Sequence, residues 1–337
     1  MNDKKPTTSL SRRRMALGLG GAAVAVAAPP LAGSAAAATW PDRTVTIVVP
    51  FAAGGSADVY GRILAQKLTA MFHHPFIVED KPGAASIIGS QFVATSRPNG
   101  YTLLIISNTH TVNETLFPHK PYKLLKNFEP IAPINSSDLV LVTRPTLGVK
   151  TLGELIALAK KEPGKLTFAS SGPGTPYHMA GELFKVMAGI NIVHVPFKGS
   201  SQARIDVMSG QVDMMFDATT TMKGFIASGK VTGIATTGLT QSKVLPNLPP
   251  MASAGVPGYQ AVIWLGLVAP KGTPVAIVDK LNHALETIMK DPALQASWAE
   301  QGAVPVFMTP AKFTTFIEGD IAKWAKVVKK AGLKPRD

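Results

Sequence analysis

The sequence predicts an α/β protein of two lobes, each built on a doubly wound, mostly parallel sheet with flanking helices. From Trp40 onward, short apolar runs alternate with segments of helical spacing, and short loops rich in Gly, Pro, Asn and Asp separate them. The order strand, Gly-rich loop, helix occurs in both halves of the chain. A late apolar strand at 261–270 is predicted to bring the chain back to the first unit, and the last helices then complete that unit. The predicted lobes are therefore 39–138 with 263–337, and 139–262.

The first unit begins with a β-branched run at 44–51, which predicts a buried strand. A helix is predicted after it, because apolar side chains recur at helical spacing on one face: Tyr60, Ile63, Leu64, Leu68, Met71 and Phe72. A strand at 76–80, a helix at 85–96 and a strand at 101–108 follow, and the sequence RPNG ends the second helix. This alternation is typical of a parallel sheet.

The second unit begins near Ser137. Its first elements are a strand at 138–145 and a helix at 151–164, in which Thr151 and Glu154 have the spacing of a capping box. Strands and helices then alternate until a Pro-rich stretch precedes the return strand. Three amphipathic helices with no visible chemistry close the chain, at 274–291, 292–302 and 311–332.

Residues 1–38 have the order of an export signal, with basic residues, a short apolar stretch and then small residues. The arginines Arg12, Arg13 and Arg14 follow a serine, as in twin-arginine signals, which export folded proteins; the alternative is an ordinary Sec signal with an Arg-rich start. The apolar stretch is too short to cross a bilayer. Ala-x-Ala sites predict cleavage near Ala38 and a periplasmic product.

The composition of the remaining 299 residues excludes several classes of binding partner and site. The signal removes five basic residues and one acidic residue, so the formal net charge falls from +13 to +9. The lysines are scattered, and no basic stripe with interleaved aromatic residues indicates nucleic-acid binding, so small anions fit better as partners of a predicted monomer. The chain has no cysteine, which excludes disulfides, thiolate metal sites and cysteine nucleophiles.

The sequence PFAAGGSADVYGR at 50–62 places adjacent glycines between a buried strand and a helix start. Open α/β sheets bind ligands at this position, where free amides and the helix dipole favour an anion. The alternative is a structural turn that needs positive φ at Gly54 or Gly55. The sequence ASSGPGTPYHMAGELF at 169–184 repeats the arrangement in the second lobe, with Thr175 as a helix cap. The first loop has neither the glycine spacing of a dinucleotide-binding motif nor the Lys-Ser/Thr ending of a nucleotide-phosphate loop. No cofactor is predicted.

Six stretches of the chain resemble the Bug-type periplasmic solute receptors, which are the substrate-binding components of the tripartite tricarboxylate transporter family. They occur in the family's order and are WPDRTVTIVVPFAAGGSADVYGR, VEDKPGAASIIGS, PNGYTLLI, FASSGPGTPYHMAGELF, HVPFKGSSQARIDVMSGQVDMMFD and WLGLVAPKGTPVAIVDKLN. The resemblance implies a two-lobed, type II-like periplasmic binding protein fold that closes on a small carboxylic acid without catalysis. It also implies that amides of both Gly-rich loops, partly through ordered waters, hold a carboxylate, and that membrane permease subunits or a sensor receive the ligand.

The resemblance also assigns ligand-binding residues. In the first loop they are Phe51, Ala53, Gly54, Gly55 and Ser56, with Asp58 as a motif residue of structural role. In the second loop they are Ser170, Gly172, Thr175 and His178. Asp217 occupies the place of a polar residue near the distal end of the ligand. The region SNTHTVNETLF departs from the family's small Thr or Gly-rich turn, so Asn108 is the candidate there and what fills that side of the cavity stays open.

Other kinds of site were weighed against this one. Two pairs have the four-residue spacing of a shared helix face, His178 with Glu182 and His110 with Glu114. Neither pair has a third ligand nearby in sequence, so no metal site is predicted. The alternative function is a periplasmic hydrolase that uses Ser171, His178 and Asp217 in the same cleft, although the Gly-x-Ser-x-Gly elbow is missing. A periplasmic scaffold or metal carrier is a third class.

Overall fold

The structure, a computed structural model, describes residues 40–336 of the chain. The predicted export signal at 1–38 lies outside these residues. None of the helices in this part of the chain combines the length and the apolar character that crossing a membrane requires.

The chain alternates strands and helices over most of its length. The strands are β1 (Val45–Val49), β2 (Phe76–Asp80), β3 (Thr102–Ser107), β4 (Phe128–Thr143), β5 (Thr167–Ser170), β6 (Val193–Pro196), β7 (Met214–Ala218), β8 (Thr232–Thr236), β9 (Val262–Pro270) and β10 (Ala303–Pro305). The α-helices are α1 (Ser56–Phe72), α2 (Ile87–Ala94), α3 (Asn108–Leu116), α4 (Leu124–Asn127), α5 (Leu152–Lys161), α6 (Pro176–Ala188), α7 (Ser200–Met208), α8 (Thr219–Ala227), α9 (Val275–Met289), α10 (Pro292–Glu300) and α11 (Pro310–Lys330).

The strands form two parallel groups that antiparallel strands connect. The sheet order is β2-β1-β3-β9-β4-β7-β5-β6, and β8 and β10 also pair with β4. Strand β1 is parallel to β2 and β3, and β5 is parallel to β6 and β7, whereas β4 and β9 run antiparallel to their neighbours. We call the half with β1–β3 lobe 1 and the half with β5–β7 lobe 2. The predicted two-lobed α/β fold is confirmed.

Strand β4 belongs to both lobes. Its residues 128–138 pair with β9, and its residues 139–143 pair with β7 and β8. It begins at Phe128, about ten residues before the strand that the sequence predicts. The difference has a physical reason, because Pro130 and Pro133 lack amide donors and indicate a loop in the sequence. In the sheet both prolines lie at shifts in the pairing register with β9.

Each lobe has its own hydrophobic core. One large cluster of buried side chains comes from residues 40–134 and 265–303, and another comes from residues 139–263. The exact lobe boundaries drawn from the sequence stay predictions.

Local signals set several of the helix starts. The capping box of Thr151 and Glu154 forms at the start of α5, and Thr175 Oγ1 accepts a hydrogen bond from the amide of His178 at the start of α6, as predicted. Helix α2 begins at Ile87 rather than at Ala85, because the residues before it adopt a left-handed conformation.

Candidate functional site

A cavity of about 810 Å³ opens where loops of the two lobes meet. Its wall is built mainly by the loops that precede α1, α2, α6 and α7. The lining segments are 50–53, 55–57, 82–86, 171–173, 175–177 and 197–202, with Ser107, Ile205, Ile263 and Leu265. Lys198 is the one charged side chain among these lining residues, and it is exposed to solvent. No acidic side chain is part of this wall.

Four helices direct their amino ends towards this cavity. Gly55, Ser86, Thr175 and Gly199 are the residues just before α1, α2, α6 and α7, and all four line the wall. The first amides of a helix have no partner within the helix, and the helix dipole places partial positive charge at the same end. Together with the missing carboxylates, this arrangement favours an anionic guest.

The first Gly-rich loop divides its residues between two roles. Gly54 has φ of +75°, and its amide donates to Asp58 Oδ2 at 2.9 Å, so this residue makes the turn and its amide is already bonded. Gly55, with φ of −83°, and Ser56 line the cavity at the start of α1, as do Phe51 and Ala53. Gly54 therefore has the structural role of a turn residue, and Gly55 and Ser56 are the residues of this loop that can bind an anion.

The second loop shows the same division. Gly172 and Thr175 line the cavity, but Ser170 and His178 lie behind it and are almost completely buried. Ser170 Oγ lies 2.6 Å from His194 Nε2 and accepts from the amide of Gly172 at 3.1 Å. His178 Nδ1 accepts from the amide of Gly174 at 3.1 Å. These two side chains thus hold the shape of the loop.

Asn108 and Asp217 do not reach the cavity wall. Asn108 donates to the carbonyl of Val262 at 3.0 Å and accepts from the amide of Trp264 at 3.1 Å, so its amide group links α3 to β9. Asp217 is buried, and its Oδ2 accepts a hydrogen bond from Arg204 Nε at 2.6 Å.

Arg204 connects Asp217 to the cavity. Its Nη2 donates to Ser200 Oγ at 3.0 Å, at the start of α7. Burial opposes the charge of Arg204, but Asp217 outweighs it and raises the pKa of the guanidinium. Asp217 therefore supports a cavity loop through Arg204.

Two lining segments contain none of the residues that the sequence assigned to the site. One is the loop at 197–202, and its signal was available, since FKGSSQ repeats the Gly and Ser pattern between a strand and a helix. Gly199 is required there, because a Cβ atom at this position would lie 2.8 Å from the Cβ of Ala52. The other is the turn at 82–86, for which the pair Ala84 and Ala85 gives no local signal.

Direct contacts join the lobes around the cavity. Ser56 Oγ lies 3.4 Å from Tyr177 Oη, and Tyr60 Oη lies 2.8 Å from Thr220 Oγ1. Burial raises the pKa of Tyr60 to about 12 and raises the pKa of Tyr177, so both phenols stay neutral hydrogen-bonding groups. Met179 of α6 also packs in one buried cluster with side chains of α3 and α11.

The side chains of the hypothetical hydrolase do not assemble into a triad. His178 contacts Gly174 and Glu182, with Nε2 3.6 Å from Glu182 Oε1, and Asp217 is held by Arg204. The described residues contain no hydrogen bond between His178 and Ser171 or Asp217. Residues 40–336 also contain no group of three or more His, Asp or Glu side chains that could hold a metal ion.

Comparison with known proteins identifies the family. Residues 60–333 match the family model described as tripartite tricarboxylate transporter family receptor. The chain belongs to this receptor family. Among its relatives, the protein BugT of Bordetella pertussis is 35% identical over 311 residues, which cover 92% of this chain and 95% of BugT. The resemblance to Bug-type receptors is confirmed.

Solved structures of receptors share the fold. Rpa4515 of R. palustris, solved with adipate, has a TM-score of 0.86 and 32% identity, covering 88% of this chain and all of that one. The periplasmic binding protein BugD has a TM-score of 0.83 and 33% identity, over 88% of this chain and 100% of BugD. MatC from Rhodopseudomonas palustris, with bound malate, has a TM-score of 0.80 and 29% identity, over 86% and 100%.

Proposed function

We propose that the protein is a periplasmic solute receptor that captures a small mono- or dicarboxylic acid between its lobes. The observation that carries the proposal is a cavity which four helix amino ends face and whose wall contains no acidic side chain. Adipate in Rpa4515 and malate in MatC support the same ligand class. The receptor then delivers its ligand to membrane permease subunits of a tripartite tricarboxylate transporter or to a sensor.

Backbone amides supply most of the binding free energy in this proposal. A hydrogen bond between an amide and a carboxylate contributes about 1.5–3 kcal/mol, and a helix terminus adds about 0.3–1 kcal/mol. The exposed Lys198 contributes less than about 1 kcal/mol, because solvent screens its charge. The predicted residues that line the cavity are Phe51, Ala53, Gly55, Ser56, Gly172 and Thr175. The amides of Gly172 and Thr175 already donate to Ser170 Oγ and to the carbonyl of Gly172, so among these residues the open amide donors belong to the first loop. Gly54, Asn108, Ser170, His178 and Asp217 act behind the lining residues.

Capture requires that the lobes move. The chain passes between the lobes in β4 and β9, so closure by a hinge would bend these two strands. The contacts of Ser56 with Tyr177 and of Tyr60 with Thr220 then hold the closed form. Binding and release need no chemical step, in agreement with the unassembled hydrolase side chains.

The finer points of location and assembly follow from the sequence. A twin-arginine-like signal would be removed near Ala38, and the mature chain would act as a monomer in the periplasm. The receptor family and the periplasmic binding protein BugD support this location.

A thermal-shift screen of carboxylates tests the proposal on the mature protein. A ligand at about 100 times its dissociation constant stabilises the folded state by about 2.7 kcal/mol, which raises the melting temperature by a few degrees. Neutral sugars and inorganic cations are the controls. Stabilisation by these compounds, with no shift from any organic acid, would contradict the carboxylate assignment.

A further inference from the structure

The wall of the cavity is largely hydrocarbon. Half of the lining residues are Ala, Pro, Phe, Ile or Leu. Ile263 and Leu265 of β9 are almost completely buried, so they form part of the floor, whereas Ile205 of α7 keeps half of its surface open. A cavity of about 810 Å³ with such a wall has room for the body of a ligand as well as for its carboxylate.

Ile205 is an apolar side chain that the protein leaves uncovered inside this cavity. It is 53% exposed, although Ala203 and Val207 of the same helix are completely buried in an apolar cluster of lobe 2. It lines the cavity together with Ser201 and Gln202, which lie about one turn before it on the same face of α7. Water around an exposed isoleucine is unfavourable, so this surface favours contact with an apolar group.

The start of α7 fixes the position of Ile205 relative to the carboxylate site. The first Gly-rich loop lies against this start, since a Cβ atom at Gly199 would be 2.8 Å from the Cβ of Ala52. A Cβ atom at Gly55 would be 3.9 Å from Ser200 Oγ. Ile205 follows Ser200 by five residues, which is about 7.5 Å along the helix axis. A carboxylate at the amides of the first loop and a group against Ile205 are therefore two ends of one ligand.

The polar side chains of the wall do not provide a site for a hydroxyl group on the ligand body. Six hydroxyl side chains of the wall are buried, and all but one of them bond groups of the protein; the six are Ser56, Ser86, Ser107, Thr175, Tyr177 and Ser200. The exception is Ser86, whose Oγ is closed to solvent and lies beside Tyr122 behind its turn. A ligand hydroxyl would thus exchange water for hydrocarbon, which is unfavourable.

We propose that the ligand is a carboxylic acid with an unsubstituted hydrocarbon body long enough to reach Ile205, and that Ile205 selects this body. The inference rests on the proposed function, in which backbone amides hold the carboxylate, and it names the chemistry of the other end of the acid. Adipate in Rpa4515 is an unsubstituted acid, and malate in MatC is a short hydroxylated one. The wall of this cavity favours the first of these two classes.

Calorimetric titration of the mature protein tests the proposal. The probes are unsubstituted acids of four, six and eight carbons, each as the monocarboxylate and the dicarboxylate, with malate as the hydroxylated four-carbon acid. The measured quantity is the chain-length ratio, which is the dissociation constant of the four-carbon acid divided by that of the eight-carbon acid in one series. We expect a ratio of about ten or more, because each CH₂ group that the wall half covers strengthens binding about twofold. Malate should bind no more tightly than butanedioate.

Two substitutions at Ile205 test its part in this selection. Ile205→Ala removes most of the apolar contact, so the chain-length ratio should fall about fivefold while the dissociation constants of the four-carbon acids stay within about twofold. Ile205→Gln keeps a long side chain but ends it in an amide, and it should lower the ratio by a similar factor. Ala and Gln favour a helix at least as well as Ile, so the melting temperature of the free protein should not fall.

The matched control is Ile77→Ala. Ile77 is 48% exposed on β2 and is not part of the cavity wall, so the same change is made to a half-exposed isoleucine elsewhere. Its chain-length ratio should equal that of the wild type. An equal fall in the Ile77 and Ile205 variants would contradict a specific contact of the ligand with Ile205.

The outcomes distinguish this inference from the general function. If acids of four and eight carbons bind equally, if malate binds more tightly than the longer acids, or if Ile205→Ala leaves the ratio unchanged, the inference is wrong and the receptor function stands. If no acid of any length binds, the receptor function fails and the inference fails with it.

Discussion

The two Gly-rich loops occupy equivalent places in their lobes, but different chemistry supports them. In lobe 1, Asp58 binds the amide of Gly54 and pairs with Arg62 Nε at 2.6 Å, and Arg62 continues to Asp80. This support consists of charges. The side chain of Arg62 in this pair is half exposed to solvent.

In lobe 2 the support comes from hydroxyl and imidazole groups, with the Glu182 carboxylate behind His178. Ser170 contacts His194, His178 accepts from Gly174, and Thr175 Oγ1 donates to the carbonyl of Gly172 at 2.7 Å. The comparison shows that two loops in equivalent places can be held in shape by different interactions, ion pairs in lobe 1 and hydrogen bonds of hydroxyl and imidazole groups in lobe 2. Carboxylate removal should disrupt the first loop, and acid should disrupt the second.

The largest effect is expected from Asp58→Ala. This change removes a buried charged acceptor from the amide of Gly54, which lowers the free energy of unfolding by about 2–3 kcal/mol, while the half-exposed pair with Arg62 adds little. Urea denaturation measures the loss. Glu318→Ala is the matched control, because Glu318 is exposed and has no ion pair among the described residues. An Asp58→Ala protein as stable as the control would show that charge does not support the first loop.

Acid should weaken the second loop by a similar or slightly smaller amount. Burial, with neighbouring basic groups second, lowers the pKa of His194 to about 2, against 6.5 for a free imidazole. Between these values the unfolded chain binds more protons, so stability falls as the pH drops below about 6.5. From pH 7 to pH 5 His194 accounts for about 2 kcal/mol of this loss.

The variant His194→Gln isolates this contribution. His110 in lobe 1, whose pKa burial lowers to about 3, titrates in the same direction, so the wild type alone cannot separate the two. Chemical denaturation at pH 7 and pH 5 should show a smaller loss in the variant by about 2 kcal/mol. Equal losses in the variant and the wild type would show that an uncharged His194 does not support the second loop.

The smallest effect is expected at the cavity loop 197–202. Lys198→Ala removes the single charge of the cavity wall, which is exposed, so affinity for a carboxylate should fall only about twofold at low ionic strength. The difference should vanish at about 0.5 M salt. A tenfold loss that persists in salt would mean that a side chain, rather than the amides, holds the ligand.

Sequence reasoning predicted the features that local rules control. The strand and helix alternation, the caps Thr151 and Thr175 and the turn at Gly54 or Gly55 each depend on a few neighbouring residues. The resemblance to the receptors placed both Gly-rich loops in the site, and both reach the cavity.

The features that the sequence did not predict depend on contacts between residues far apart in the chain. Asn108 was expected at the ligand, but its amide meets Val262 and Trp264, more than 150 residues away along the chain. The left-handed turn at Ala84–Ser86 begins with two alanines, which favour helix in isolation. The side chain of Asn113, in α3, donates a hydrogen bond to the carbonyl of Ala85 in this turn. Such contacts have no periodicity that a sequence pattern reveals.

Strand β4 has a consequence for how the protein unfolds. Because its sixteen residues pair with β9 at one end and with β7 and β8 at the other, neither lobe can lose its sheet without exposing an edge of the other. We therefore expect the lobes to melt in one cooperative transition, and a ligand that touches both lobes should raise the free energy of unfolding of the whole structure.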